Sequence, residues 1–156
     1  MRLFWITALV VLGLDQGSKY VVVHWLRLDE VRAINVFPPY LNFRMAWNDG
    51  VNFGLLGDLG GYMRWVLIAL ALAISAWLVA VVMRGRQRPV VRFAAGLLVG
   101  GALGNVIDRL LYGAVADFLN TSCCGLRNPY AFNVADIAVF AGAFGLIVFM
   151  GREKTP

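Results

Sequence analysis

Hydrophobic and polar positions along this chain separate into long apolar runs joined by polar connections. Four runs approach the roughly 20 residues that a helix needs to cross about 30 Å of hydrocarbon. They extend from Leu3 to Val23, Tyr62 to Met83, Val90 to Leu111 and Ala131 to Met150. A helix satisfies its own backbone hydrogen bonds, which lipid cannot do, so four transmembrane helices are expected. Between the first two runs the pattern shifts to period two. Leu41, Phe43 and Met45 alternate with Asn42 and Arg44, Asn48-Asp49-Gly50 supplies turn chemistry, and Val51, Phe53 and Leu55 alternate with Asn52 and Gly54. This predicts a β-hairpin with one apolar face over about residues 35–56. Pro38-Pro39 bars helix just ahead of it. Trp25, Tyr40 and Trp47 suit the aromatic belt of a ribbon lying on the bilayer surface.

Composition agrees with this pattern: 60% of the 156 residues are hydrophobic, well above the usual range of soluble proteins. The expectation is one membrane-embedded, mainly α domain over 1–156 with a small extracytoplasmic β-hairpin or sheet. Arg2 ahead of an apolar core resembles a secretory signal, but DQGSK follows in place of a small-x-small cleavage site, so the first span should be uncleaved. Arg84, Arg86, Arg88 and Arg92 crowd one short turn, which should be cytoplasmic. Both termini, with Arg2, Arg152 and Lys154, then share that side, and the two remaining loops face outward. The net charge of +5 is accounted for by topology, and no nucleic-acid partner is expected. Cys123 and Cys124 are adjacent, a spacing that rarely meets disulfide geometry without strain, and read as two small, partly buried side chains. His24 has no other His to join it, so neither a metal site, a cofactor nor a Cys nucleophile is expected.

Gly96, Gly100 and Gly104 recur every four residues in the third run, and Gly13 and Gly17 do so in the first. Such stripes let membrane helices approach closely. Asp108 continues the third-run stripe and should point into the bundle. Ionisable groups in a span cost a few kcal/mol each and tend to face an interior or a cavity. Asp15 and Lys19, four apart, can pair on one helix face, and a Lys there can also snorkel toward the interface. Asn105, Asp108 and Arg109 fall at i, i+3 and i+4, on one face of the last turns. Arg109 cannot lose its proton and needs an anionic or dipolar partner.

Asp117 follows in GAVADF, and Asn133 and Asp136 open the fourth run in FNVADIAVF. Both carboxylates reach the same membrane boundary from consecutive spans, and the intervening 14 or so residues can let those ends meet. Two carboxylates within hydrogen-bonding reach share a proton: one takes a proton from water while the other donates to a carbonyl oxygen. That is aspartic-peptidase chemistry, which requires neither metal nor covalent intermediate. A small proton- or ion-coupled carrier also collects carboxylates, but near the midplane between repeated halves, and the sequence has neither feature.

Taken in order, DQGSK, NDGVNFG, GGALGNVIDR, GAVADF and FNVAD resemble the bacterial lipoprotein signal peptidases, or signal peptidase II, over nearly the whole chain. The resemblance implies an inner-membrane aspartic endopeptidase that cuts prolipoproteins just before a diacylglyceryl-modified Cys. It implies that Asp117 and Asp136 are the catalytic pair and that Asn48, Asn105, Arg109, Asn133 and Asp15 support the dyad, the substrate or the local fold. Asp108 and Lys19 are expected to be structural. The lipid-modified substrate and membrane phospholipid are the expected partners of a monomer. The family usually has small residues where this chain has Val51-Asn52, so the ribbon's substrate-facing surface should differ there.

Overall fold

A computed structural model describes residues 1–50, 60–85, 87–123, 125 and 128–150. Helix α1 (Arg2–Lys19) runs on into a wider turn over Tyr20–Trp25, in which the Leu26 amide donates to the Val21 carbonyl at 2.9 Å. A short helix α2 (Leu28–Val31) leads into strands β1 (Ala33–Phe37) and β2 (Leu41–Asn48). Helices α3 (Gly60–Arg84) and α4 (Pro89–Tyr112) follow, then strand β3 (Val115–Thr121) and helix α5 (Val134–Met150). The Arg2–Trp25, Tyr62–Arg84 and Pro89–Tyr112 segments are long and apolar enough to cross a membrane; α5 is apolar but has only 17 residues. At 1.5 Å per residue it spans roughly 25 Å.

The fold is that of a multi-pass membrane protein, and its surface is inverted accordingly. Leu9, Trp65, Phe140, Phe144 and Ile147 are exposed and form part of the bundle's outer, lipid-facing surface. The core is built around α4, which packs against α1, α3 and α5. Phe4, Leu78, Val82, Val91, Ala95, Val99 and Leu146 fill its lower half. Gly96 and Gly100 permit the α1 contact: a Cβ at either would lie 2.6–2.7 Å from the Phe4 or Ala8 carbonyl oxygen. At Gly104 a Cβ would collide with the Asp15 carboxylate. Gly13 and Gly17 behave otherwise than expected, since neither has any neighbour within 4 Å of an added Cβ. Their spacing matches a packing stripe, but that face of α1 meets no other described element. Pro89 opens α4, and Gly113 closes it at φ +85°, a left-handed conformation that costs Gly nothing.

The antiparallel sheet has the order β1-β2-β3, with β2 central. The alternating Leu41–Asn48 segment is a strand as expected, but its partners differ from the hairpin drawn from sequence. The chain turns at Pro38-Pro39 to pair Ala33–Phe37 with β2, and β3 takes the other edge. Residues 51–55, the expected second arm, lie outside the described residues. Val22, Leu28, Phe43 and Phe118 form the apolar layer between sheet and helices. Trp25, Tyr40 and Trp47 are exposed at this end of the bundle. Cys123 is exposed, not partly buried, and Cys124 is outside the described residues.

Candidate active site

GAVADF becomes strand β3, in which Val115, Ala116, Asp117 and Phe118 are all buried. Pairing with β2 sets Ala46 opposite Asp117 and Asn48 opposite Val115. The Asn48 amide thus donates to Asp117 Oδ2 at 3.0 Å, and Asn48 Oδ1 accepts the Gly50 amide, closing the expected turn chemistry. Helix α5 begins three residues later than the fourth apolar run. Phe132 pairs with Leu119 through backbone bonds of 2.7 and 3.0 Å, which keeps the chain extended up to Asn133.

Asn133 caps α5. Its Oδ1 accepts the Asp136 amide at 2.8 Å, and Asp136 Oδ2 accepts the Asn133 amide at 3.2 Å, the reciprocal arrangement of a capping box. The same Asn133 side chain, fully buried, donates through Nδ2 to Asp117 Oδ1 at 2.7 Å. Asn133 therefore links the two carboxylates through one side chain and its own backbone. Asn105 on α4 adds a second tie, donating to Asp136 Oδ1 at 3.0 Å while its Oδ1 accepts from Asn133 at 3.2 Å. Asp117 and Asp136 line a common cleft of about 640 Å³ with Asn48, Ala131, Phe132, Ile137 and Phe140. Burial, reinforced by the charge of Asp136, pushes the Asp117 carboxyl up to about 7; the hydrogen bonds from Asn48 and Asn133 oppose that rise without cancelling it.

Asn105, Asp108 and Arg109 do not act on one face. Successive helix residues are about 100° apart, so Asp108 and Arg109 must diverge. Asp108 is buried toward α1, whereas the Arg109 guanidinium lines a groove of about 240 Å³ with Leu67, Leu70, Ile74 and Val139. Its dipolar partner is the Asn105 carbonyl, at 3.3 Å from Nη1, and its buried Nε has no hydrogen-bond partner among the described residues. Lys19 is buried as well and does not snorkel. It lies 2.7 Å from Asp15 and 2.8 Å from Asp108. Gln16, given no role from sequence, donates to both of those carboxylates at 3.0 Å. His24 contacts the Tyr112 hydroxyl at 3.2 Å.

Polar groups brought together at one end of an apolar bundle, around a cleft with paired carboxylates, define a membrane protein equipped for acid–base chemistry. The family model for signal peptidase (SPase) II matches residues 7–152. A lipoprotein signal peptidase of Neisseria meningitidis serogroup C (strain 053442) is 38% identical over 90% of this chain and 84% of its own length. One of Methylorubrum extorquens (strain PA1) is 43% identical over 92% and 82%. A solved bacterial membrane enzyme structure aligns with a TM-score of 0.83, 27% identity, and coverage of 99% of this chain and 96% of its own. The chain belongs to the signal peptidase II family and is a membrane peptidase.

Proposed function

We propose that this protein is an aspartic endopeptidase of the cytoplasmic membrane that removes signal peptides from diacylglyceryl-modified prolipoproteins, cutting just before the lipidated Cys. The observation that carries the aspartic assignment is the Asn133 bridge, 2.7 Å from Asp117 and 3.2 Å from Asp136. It holds two carboxylates from separate elements on one cleft, which supports a pair in which one carboxyl keeps its proton while the other ionises.

The buried Asp117 holds that proton near neutral pH, and Asp136 accepts a proton from the attacking water. As water oxygen bonds to the scissile carbonyl carbon, the Asp117 proton passes to the carbonyl oxygen, giving a neutral gem-diol. A proton from the Asp136 side then moves to the amide nitrogen as the C–N bond breaks, a hydroxyl proton returns to Asp117, and the pair ends as it began. Asn48 and Asn105 keep the carboxylate oxygens aimed and supply amides for an extended substrate backbone. Ile137 and Phe140, both exposed on α5, form a greasy wall of the cleft. A signal helix and acyl chains can therefore stay in lipid while the scissile bond enters. The positive-inside pattern sets this end of the bundle on the outward face, with both termini cytoplasmic.

Purified protein in detergent, given a diacylglyceryl-modified prolipoprotein, is expected to release the signal peptide with its C-terminus immediately before the Cys, read by mass spectrometry. A chelator should leave the rate unchanged. Turnover abolished by the chelator and restored by a divalent metal would assign the chemistry to a metallopeptidase instead.

A further inference from the structure

Away from the cleft, four elements meet at a single buried ion cluster. Lys19 Nζ on α1 contacts Asp15 Oδ2 and Asp108 Oδ2, and the three side chains are at most 7% exposed. Each carboxylate also accepts one backbone amide from a distant segment. Asp108 Oδ2 takes the amide of Ala116 at 3.0 Å, and Asp15 Oδ1 takes the amide of Ala135 at 3.0 Å. Ala116 immediately precedes Asp117, and Ala135 immediately precedes Asp136. The cluster therefore grips the backbone one residue ahead of each proposed catalytic carboxylate; the Lys19 ammonium supplies the positive charge between the two grips, and Gln16 Nε2 adds a neutral tie by donating to both carboxylates at 3.0 Å.

We propose that Lys19 is a positioning residue: its ammonium ties the Asp108–Ala116 grip to the Asp15–Ala135 grip and so sets the separation of Asp117 and Asp136. The inference rests on the aspartic-dyad reading and adds a residue that does not touch substrate. Lys19 lines a different cavity, of about 260 Å³, whose described lining shares no residue with the dyad cleft. Three desolvated charges are a poor means of stabilising a core, because well-packed apolar side chains of similar volume serve as well or better. What an ion cluster does provide is register, since its partners are satisfied at one spacing only. A dyad needs that, because misplacement by about 1 Å can cost on the order of 100-fold in rate. Gly104 belongs to the same device: only a residue without Cβ leaves room for the Asp15 carboxylate beside α4, and its carbonyl accepts from Gln16 at 3.3 Å.

The test compares wild type with Lys19→Met and Lys19→Arg, measuring kcat and KM per folded molecule on a diacylglyceryl-modified prolipoprotein, with Asp117→Asn and Asp136→Asn alongside. Lys19→Met is expected to lower kcat roughly 10- to 100-fold with KM within about twofold of wild type. Lys19→Arg keeps the charge and so protects folding, but its longer, planar head group cannot reproduce both contacts, and kcat should still fall about tenfold. Wild-type kcat in Lys19→Arg, or a Lys19→Met defect confined to the unfolding temperature, overturns the tie. Those results with inactive Asp117→Asn and Asp136→Asn leave the dyad standing, whereas activity in the Asn variants removes the dyad itself.

Discussion

Asn133 carries two tasks that its position at the start of α5 makes compatible. Its oxygen caps the helix and its amide nitrogen reaches Asp117. Asn133→Ala is expected to cost about 1 kcal/mol of stability through the lost cap. Turnover should fall further than that loss explains, by about 10- to 100-fold, because Asp117 is freed from Asp136; cleavage kinetics and thermal unfolding in detergent separate the two effects. Asp117 gives a pH prediction. Its carboxyl is raised from 3.8 to about 7 in the folded protein, so the folded state keeps a proton that the unfolded chain has already lost. The associated stability is fully present below about pH 4 and disappears as pH rises through about 7. Asp117→Asn should remove this dependence, so its unfolding temperature relative to wild type rises between pH 4 and 8; a constant difference would contradict the shift. Both carboxylates were legible in the sequence because charges at the ends of apolar runs stand out. The Asn133-x-x-Asp136 spacing is also a capping-box signature, visible without coordinates. Gln16 was not legible, since its partner Asp108 is 92 positions away and nothing local marks the contact.

At the scale of elements, the glycines divide by what faces them. Gly104→Ala should destabilise the protein by about 1–3 kcal/mol, the usual cost of overpacking, and depress turnover because the Asp15 carboxylate must move. Gly13→Ala, with open space around it, should leave both unchanged or slightly raise helix stability. Equal effects of the two substitutions would show that the α1–α4 contact is not as described. Helix spans follow from hydrophobic runs of sufficient length, and three of the four match within a few residues. Strand β3 was hidden because Val115 to Phe118 are buried together, so no period-two alternation remains to reveal it. The α5 start shifts to Val134 because a bridge to Leu119 holds Phe132 extended, a pairing that no local pattern encodes.

For the whole molecule, composition alone separates lipid-facing from buried surface poorly, since both are apolar; the glycine and carboxylate positions carry the inward direction. Charge carries the vertical one. With Arg84, Arg88 and Arg92 at the end of the bundle remote from the sheet, that end should be cytoplasmic. A membrane-impermeant thiol reagent applied to intact cells should label a single Cys placed at Tyr40, in the turn between β1 and β2, and spare one placed at Gln87, in a background lacking Cys123 and Cys124. The reverse labelling would invert the topology and set the cleft on the wrong side for a translocated prolipoprotein. The most direct measurement of the central assignment is cleavage of a lipid-modified prolipoprotein by folded Asp117→Asn and Asp136→Asn proteins. Each should retain no more than about one part in a thousand of wild-type turnover, the scale of a lost general acid or base. Near-normal cleavage by either one, with folding intact, would contradict the paired-carboxylate mechanism.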